Sequence, residues 1–157
     1  MKTFQRFLCA LSLCGISATA HAVNLDLSLE STSATVNEEA GTVTLNVIAT
    51  NPGGEAFTAT VDYLTVSGTA IAFDDYTSQA GVLTFSESSP SQPVVIAITD
   101  DSIVEDAESF TVQLSNPQGG PSVPTTPTMT IDATSVTIID NDVEAPIGAP
   151  VIQNLPL

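Results

Sequence analysis

Basic side chains are almost missing from this 157-residue sequence. Its two basic residues, Lys2 and Arg6, and its single histidine, His21, all lie within the first 22 positions, whereas all 18 acidic residues lie beyond them. Carboxylates with no protein cation nearby must be solvated, protonated or bound to metal. A chain with no cations beyond residue 22 cannot neutralise phosphates, which excludes nucleic acid as a partner.

Cysteine, histidine and lysine are likewise absent beyond residue 22, and the sequence has no tryptophan. With Cys9 and Cys14 both near the N-terminus, the remainder can form no disulfide. The chain beyond residue 22 therefore has no cysteine nucleophile, no histidine base and no lysine for a Schiff base. Carboxylate-only chemistry, as in glycoside hydrolases, stays formally open. Only Tyr63 and Tyr76 supply tyrosine rings for stacking a sugar, so we predict that the chain is not an enzyme.

The first 22 residues have the features of a secretory signal peptide. A basic start is followed by an apolar run over 7–16 and by Ala20-His21-Ala22, a small-residue cleavage site. We therefore predict an exported protein, located outside the cell or on its surface, with the periplasm as a further possibility. No later stretch is long and apolar enough to span a bilayer.

The rest of the sequence alternates between apolar and polar residues, most clearly over 42–49, 57–66 and 108–115. Such alternation, rich in Val and Thr, is typical of half-buried strands. Clusters of Gly, Pro, Asn and Ser, as at 51–54 and 116–120, indicate turns. We predict seven strands, at 25–30, 42–49, 57–66, 81–85, 93–98, 108–115 and 128–139. The fold class is all-β, an immunoglobulin-like antiparallel sandwich over residues 23–143, with a proline-rich tail at 144–157.

Strand parity gathers the acidic residues at one end of this sandwich. Alternate connections of antiparallel strands share an end, which places two acids, Glu55 and Glu87, at one end and eleven at the other. These eleven are Glu38, Glu39, Asp74, Asp75, Asp100, Asp101, Glu105, Asp106, Glu108, Asp140 and Asp142. Each pair at 4 Å repels by about 1 kcal/mol even in bulk water. A divalent cation reverses that sign, and Ca²⁺ suits loops rich in carboxylates, whereas zinc and copper favour His and Cys. The alternative is a solvated acidic face without metal.

One segment carries a specific family resemblance. The run Asp-Asp-Ser-Ile-Val-Glu-Asp-Ala-Glu-Ser-Phe-Thr-Val-Gln-Leu-Ser-Asn-Pro at 100–117 resembles the Calx-beta domain family. Further similar segments are Gly68-Thr69-Ala70, Asp75-Tyr76, 81–85 and the closing strand 136–142. The family takes its name from the regulatory calcium-binding domains of sodium–calcium exchangers and recurs in bacterial surface proteins. This chain resembles a single-domain, exported bacterial-type member.

The resemblance implies a Greek-key sandwich with calcium as the bound ion. Two or more ions would share bridging carboxylates at the acidic end. The ligands that it implies are Glu38, Asp75, Asp100, Asp101, the backbone carbonyl of Ile103, Glu105, Glu108, Asp140 and Asp142. Two positions depart from the exchanger pattern: Asn141 stands where a third Asp occurs, and Ser102 interrupts the acidic triplet. Both departures lower the charge available to one of the sites. Glu39, Asp74 and Asp106 are predicted to be solvated neighbours.

The expected function is that of an exported calcium-binding module in which calcium is structural. It would serve adhesion or protein–protein interaction with a partner that the sequence does not identify. The alternative is a calcium-independent structural spacer, or a fragment of a larger surface protein.

Overall fold

A computed structural model describes residues 24–123, 125–144 and 148; the predicted signal peptide at 1–22 and most of the predicted tail lie outside these residues. The strands of the described part are β1 (Asp26–Leu29), β2 (Ser33–Asn37), β3 (Thr42–Thr50), β4 (Thr58–Ser67), β5 (Ala80–Ser86), β6 (Ser91–Ala97), β7 (Glu108–Gly119) and β8 (Ala133–Ile139). A 3₁₀ turn, Glu38–Ala40, lies between β2 and β3. None of the described residues forms a helix long and apolar enough to cross a membrane.

The strands form two sheets, one of three strands in the order β1-β3-β6 and one of five in the order β2-β8-β7-β4-β5. Alternate residues of each strand face the space between the sheets, because successive side chains of a strand point to opposite faces. Leu27, Val47 and Ile96 from the smaller sheet and Val61 and Val136 from the larger are fully buried there. The all-β sandwich predicted from alternation is therefore confirmed.

The first predicted strand proved to be two. β1 matches the prediction at 25–30, but after a bend the chain joins the other sheet as β2, which the sequence analysis missed. β2 pairs with β8 in parallel, from Ser33 opposite Ser135 to Asn37 opposite Ile139. The antiparallel prediction is wrong for this pair and right for the other five pairs of named strands. The reason is that the chain passes from the smaller sheet to the larger between β1 and β2 without reversing its direction, so that β2 runs the same way as β8.

The last predicted strand, 128–139, also divides between the sheets. Only its second half is β8, which begins at Ala133. Its first half lies against β1, where the amide of Leu27 donates to the Thr128 carbonyl over 2.8 Å and that of Leu29 to the Ile131 carbonyl over 3.0 Å. Backbone groups of this segment are thus satisfied by the smaller sheet before the chain crosses to the larger one.

The turn predicted at 116–120 is displaced, because β7 continues to Gly119. The register with β4 shifts between Thr60 and Asp62, and Asn116 takes a left-handed φ of 51°. This irregularity is a β-bulge, a place where a strand tolerates a proline that has no amide hydrogen to donate. Pro117 therefore lies within a strand instead of ending one.

Asp26 links β1 to the segment that precedes β8, at the end of the sandwich opposite the acidic loops. Its Oδ1 accepts from the Thr128 hydroxyl over 2.9 Å and from the Thr130 amide and hydroxyl over 3.0 Å each, and its Oδ2 accepts from the Ser28 hydroxyl. Burial raises the pKa of Asp26, but these donors outweigh that effect and the net pKa is lowered. Within the described residues, the charged carboxylate is thus held by hydrogen bonds alone, with no basic side chain beside it.

Replacing this carboxylate, Asp26→Ala, is expected to lower the free energy of unfolding by about 1–3 kcal/mol, because four donors lose their acceptor. Urea unfolding would measure the loss. Since Asp26 pairs with Thr50, far from the acidic loops, the loss should be the same in calcium and in chelator. A loss that depended on calcium would contradict this purely structural role.

Candidate metal centre

Four chain segments converge at one end of the sandwich. They are the turn between β2 and β3, the β4–β5 connection, the β6–β7 connection and the residues after β8. Backbone hydrogen bonds join the first three: the amide of Thr99 donates to the Asp75 carbonyl over 2.9 Å, and that of Ile98 to the Gly41 carbonyl over 3.0 Å. The residues after β8 are joined to them by the Glu105 amide, which donates to Asp140 Oδ2 over 2.8 Å. The carboxylates of these segments form two groups, in each of which three side-chain oxygens lie within 4.8 Å of one another.

The first carboxylate group consists of Glu38, Asp140 and Asp142. Glu38 comes from the 3₁₀ turn, which Gly41 ends with a left-handed φ of 68° while its amide donates to the Glu38 carbonyl over 3.1 Å. The Glu38 side chain is only 6% exposed. Burial raises its pKa; an amide donated by Asp101 opposes this, and the charges of Asp101, Asp140 and Asp142 add to it. Glu38 is thus a buried carboxylate with negative neighbours.

Asp140 and Asp142 differ in how well they are satisfied. Asp140 accepts from the Asp142 amide and from the Glu105 amide, each over 2.8 Å, and these bonds lower its pKa. Asp142, in contrast, has a buried Oδ2 with no hydrogen-bond partner among the described residues. Burial and the charges of nearby aspartates raise its pKa. An unpartnered buried carboxylate oxygen is costly, and a cation bound to it would remove that cost.

The second carboxylate group consists of Asp75, Glu105 and Glu108. The Ile71 amide donates to Asp75 Oδ2 over 2.6 Å, which fixes the direction of that carboxylate. Burial, a hydrogen bond with Asp75 and repulsion from Asp75 and Glu105 raise the pKa of Glu108 to about 7. Burial and the surrounding aspartates also raise the pKa of Glu105. In the absence of a cation, this group therefore retains a proton near neutral pH.

An aromatic pair lies in the core near this end. Tyr76, the residue after Asp75, is fully buried, and its ring stacks on that of Phe110 with centroids 4.1 Å apart. The Tyr76 hydroxyl lies 3.0 Å from the Ser67 hydroxyl, which also accepts from the Ala72 amide. The ring therefore anchors the β4–β5 connection, and Asp75 with it, in the core.

Six of the nine ligands that the resemblance implies lie in the two groups. The other three, Asp100, Asp101 and Ile103, lie outside them. Asp101 points its amide at Glu38 over 3.2 Å, while its own Oδ1 accepts from the Ile103 amide over 2.7 Å. Asp101 therefore orients Glu38 and adds negative charge beside it. Asp100 adds negative charge beside Asp142.

Two polar residues that the sequence analysis did not assign as ligands also line the site. A cavity of about 10 Å³ is lined by Thr99 and Asp106 together with members of both carboxylate groups. The predicted solvated position of Asp106 agrees with its exposure, and the residue also lines the cavity. The only signal for the second fact is its place directly after Glu105. Thr99 carries no signal, because nothing in the sequence shows that the end of β6 faces the cavity.

The donor set fits a hard divalent cation. All of its charged groups are carboxylates, and Ca²⁺ binds oxygen at 2.3–2.6 Å. Two ligand oxygens of one such ion lie at most about 5 Å apart, which the 4.8 Å limit within each group satisfies. The cavity that both groups line has room for about one water-sized sphere.

The fold and the site define this protein as a two-sheet β-sandwich that carries a carboxylate-rich candidate metal centre at one end. Comparison with known proteins identifies the family. Residues 22–142 match the Calx-beta domain family, and the chain belongs to it. Among solved structures, the apo form of the Calx CBD1 domain superposes with a TM-score of 0.67 at 27% identity, covering 76% of this chain and 99% of that one. The immunoglobulin-like sandwich and the family resemblance are both confirmed.

Curated relatives match a smaller part of the chain. Sodium/calcium exchanger 1 of Canis lupus familiaris is 39% identical over 80 residues, which is 50% of this chain and 8% of the exchanger. Extracellular matrix organizing protein FRAS1 of Homo sapiens is 38% identical over 96 residues, 58% of this chain and 2% of that protein. The chain therefore corresponds to a small module of these proteins. A structure described as the calcium binding domain CBD12 of CALX1.1 is 29% identical, with a TM-score of 0.62, and covers 74% of this chain and 44% of that one. The chain is homologous to the calcium-binding domains of sodium/calcium exchangers.

Proposed function

We propose that this protein is an exported calcium-binding module, that its two carboxylate groups hold at least two calcium ions, and that the ions are structural. Glu38, Asp140 and Asp142 would hold one ion, and Asp75, Glu105 and Glu108 the other. Asp100, Asp101, Asp106 and the Ile103 carbonyl would complete the coordination when the loops close around the ions. The proposal includes no catalytic role.

The observation that carries this proposal is the buried Oδ2 of Asp142. It has no hydrogen-bond partner in the described part of the chain, and it lies in a group with the buried Glu38 carboxylate. A solvated acidic face would leave its carboxylate oxygens in water instead of burying them against one another. An ion supplies the missing partner and removes the repulsion within the group.

Export and adhesion complete the proposal. The signal-peptide pattern of residues 1–22 supports secretion, and the match to an extracellular matrix organizing protein supports a role at a cell surface. The competing function is that of a calcium-independent spacer.

Calorimetric titration with calcium after chelation separates the two functions. We expect saturable binding of two or more ions per chain, with Mg²⁺ much weaker, because Mg²⁺ demands near-ideal octahedral geometry and dehydrates reluctantly. If millimolar calcium produced no saturable heat, the spacer would be the better description.

Calcium affinity should rise with pH, because the ion must displace the proton that Glu108 holds at a pKa of about 7. Competition with one such proton weakens binding at pH 6 by about tenfold relative to pH 8. Titrations at the two pH values would measure the difference, and Glu108→Gln should remove most of it. An equal affinity at both pH values would contradict the assignment of Glu108 as a ligand.

The same proton makes the calcium-free protein less stable as the pH rises. The folded-state pKa of Glu108 is higher than its ordinary value of 4.5, so the folded state binds more protons between about pH 4.5 and 7. Stability from this group is complete below that window and is lost across it. Melting curves in chelator should shift downward across the window, and calcium should reverse the shift.

A further inference from the structure

Strand β2 ends the larger sheet, with β8 on one side and no strand of the described residues on the other. In this parallel pair, alternate residues of β2 bond to β8. The Ser135 amide donates to the Thr32 carbonyl over 3.0 Å, so the even-numbered residues are the ones that face β8. The odd-numbered residues direct their backbone amides and carbonyls away from the sheet. We call these groups the β2 edge, which consists of Ser33, Thr35 and Asn37.

The other three sheet edges are covered, at least in part, by the chain itself. Residues 128–131 lie along β1, as described above. Beside β6, the Thr77 amide donates to the Ala97 carbonyl over 2.9 Å. At β5, the Gln92 side chain reaches across from β6 and donates to the Thr84 carbonyl over 2.9 Å. Covers of this kind keep an edge strand from pairing with another chain.

The β2 edge has no comparable cover. The Ser31 hydroxyl donates to the Ser33 carbonyl over 2.8 Å and accepts from the Ser33 amide over 3.3 Å. Among the described residues, no hydrogen bond reaches the backbone groups of Thr35 and Asn37. A row of alternating N–H and C=O groups is a template for another strand. What the β2 edge fits is therefore an extended polypeptide, bound through its main chain.

Charge and symmetry select a second copy of β2 as that strand. All five residues of β2 are uncharged, although the chain carries 18 acidic residues. Antiparallel pairing of two copies centred on Thr35 would put Thr35 opposite itself and Ser33 opposite Asn37, so that no acid faces an acid. The two Glu38 residues would stand six residues apart along the strands, about 20 Å. That separation is more than twice the Debye length of about 8 Å, so the two acidic ends hardly repel each other.

We propose that two copies of this chain pair through their β2 edges, antiparallel and related by a two-fold axis at Thr35. The three residues of each β2 edge would exchange main-chain hydrogen bonds with the other copy, which joins the two larger sheets into one. Five residues a side are far fewer than the roughly 20–30 of a standard stable interface, so the dimer is weak. Such pairing suits modules held together at high local concentration. The pairing uses no metal and stands apart from the calcium function.

Sedimentation velocity from about 10 μM to about 1 mM, the range in which weak pairs assemble, measures the dimer. Thr35→Pro should lower the association constant by about tenfold or more, because each copy loses the central main-chain donor. The monomer should keep its fold, since this amide faces away from β8 and edge strands accept proline at such positions. The matched control is Val82→Pro on β5, whose amide faces away from β4 by the same alternation. This control should dimerise like the wild type.

Disulfide trapping tests the register of the pairing. Thr35→Cys, in a background that carries Cys9→Ser and Cys14→Ser, places the two new thiols at the two-fold axis. The Cα atoms of a hydrogen-bonded antiparallel pair lie about 5.5 Å apart, within the roughly 4.4–6.8 Å that a disulfide spans. We expect this variant to crosslink several-fold faster than the control Val82→Cys. The comparison holds even if a proline variant fails to fold.

A protein that stays monomeric throughout, with equal crosslinking of both cysteine variants, would overturn the pairing. A monomer whose melting temperature falls with Thr35→Pro alone would mean that the chain's own residues cover the β2 edge, which also overturns it. Association weakened equally by both proline variants would indicate that the β2 edge pairs with β5 of the next copy, an open arrangement that forms filaments in place of the dimer. Each measurement is made in calcium and in chelator. Calcium binding without a dimer overturns only the pairing, whereas a dimer without calcium binding supports it and overturns the calcium function.

Discussion

Calcium is expected to raise the melting temperature of the chelator-treated protein by about 10–20 °C. Each ion that binds only the folded state adds about 2.7 kcal/mol at a hundredfold excess over its Kd, so two ions add about 5 kcal/mol. For a chain of this size each kcal/mol corresponds to about 2–4 °C. Differential scanning calorimetry in calcium and in chelator measures the shift directly.

Two controls distinguish binding from screening. Potassium chloride at the same ionic strength weakens repulsion among the carboxylates without coordinating them. Magnesium supplies the same charge as calcium but fits flexible carboxylate loops poorly. If either salt gave the same rise as calcium, the acidic end would be a solvated face and the proposed metal centre would be wrong.

Glu38→Gln is expected to have opposite effects in chelator and in calcium. In chelator the variant should be more stable than the wild type by on the order of 1 kcal/mol, because it removes a buried charge that faces Asp140 and Asp142. In calcium it should be less stable, because the first carboxylate group loses a charged ligand. The calcium affinity of this group should fall by at least about ten- to hundredfold. That is the typical loss when even a residue that only supports a metal ligand is replaced. About a quarter to a half of the calcium-induced rise in melting temperature should disappear.

The matched control is Glu87→Gln, which removes the same charge from an exposed residue at the opposite end of the sandwich. Calorimetric titration and melting curves of both variants, in calcium and in chelator, make the comparison. Glu87→Gln should leave the number of bound ions and the calcium-induced rise unchanged. If the two variants responded alike, Glu38 would not be a calcium ligand.

Much of the fold follows from local pattern. The strands that alternate strictly, such as 42–49 and 57–66, were predicted nearly to their ends, because the period of a half-buried strand is visible in the residues themselves. Strand β2 also alternates, with Ala34 and Val36 facing inward, but five residues next to a bend were not separated from β1. Its parallel partner β8 lies about a hundred residues away, and no local pattern encodes such a pairing.

The candidate site was predictable in part for the same reason. Strand parity alone sent the acidic connections to one end, and family resemblance selected the individual ligands. Neither could show that Asp101 would point its amide at Glu38 and turn its carboxylate toward Ile103, or that Asp106 would line the cavity. Side-chain direction within a loop depends on hydrogen bonds between segments that are far apart in the sequence.

By itself, then, the sequence determined an all-β sandwich without disulfides beyond residue 22 and with its acids at one end, because alternation, composition and parity are properties of the chain. The tertiary structure decided which carboxylates meet. It buried Glu38 and left Asp142 Oδ2 without a partner among the described residues, and it held Phe73 out in water on a strained turn. Those outcomes depend on how four separate segments pack together. Packing sets how far each carboxylate is removed from water and how close it lies to its neighbours, and these two quantities determine whether it stays charged.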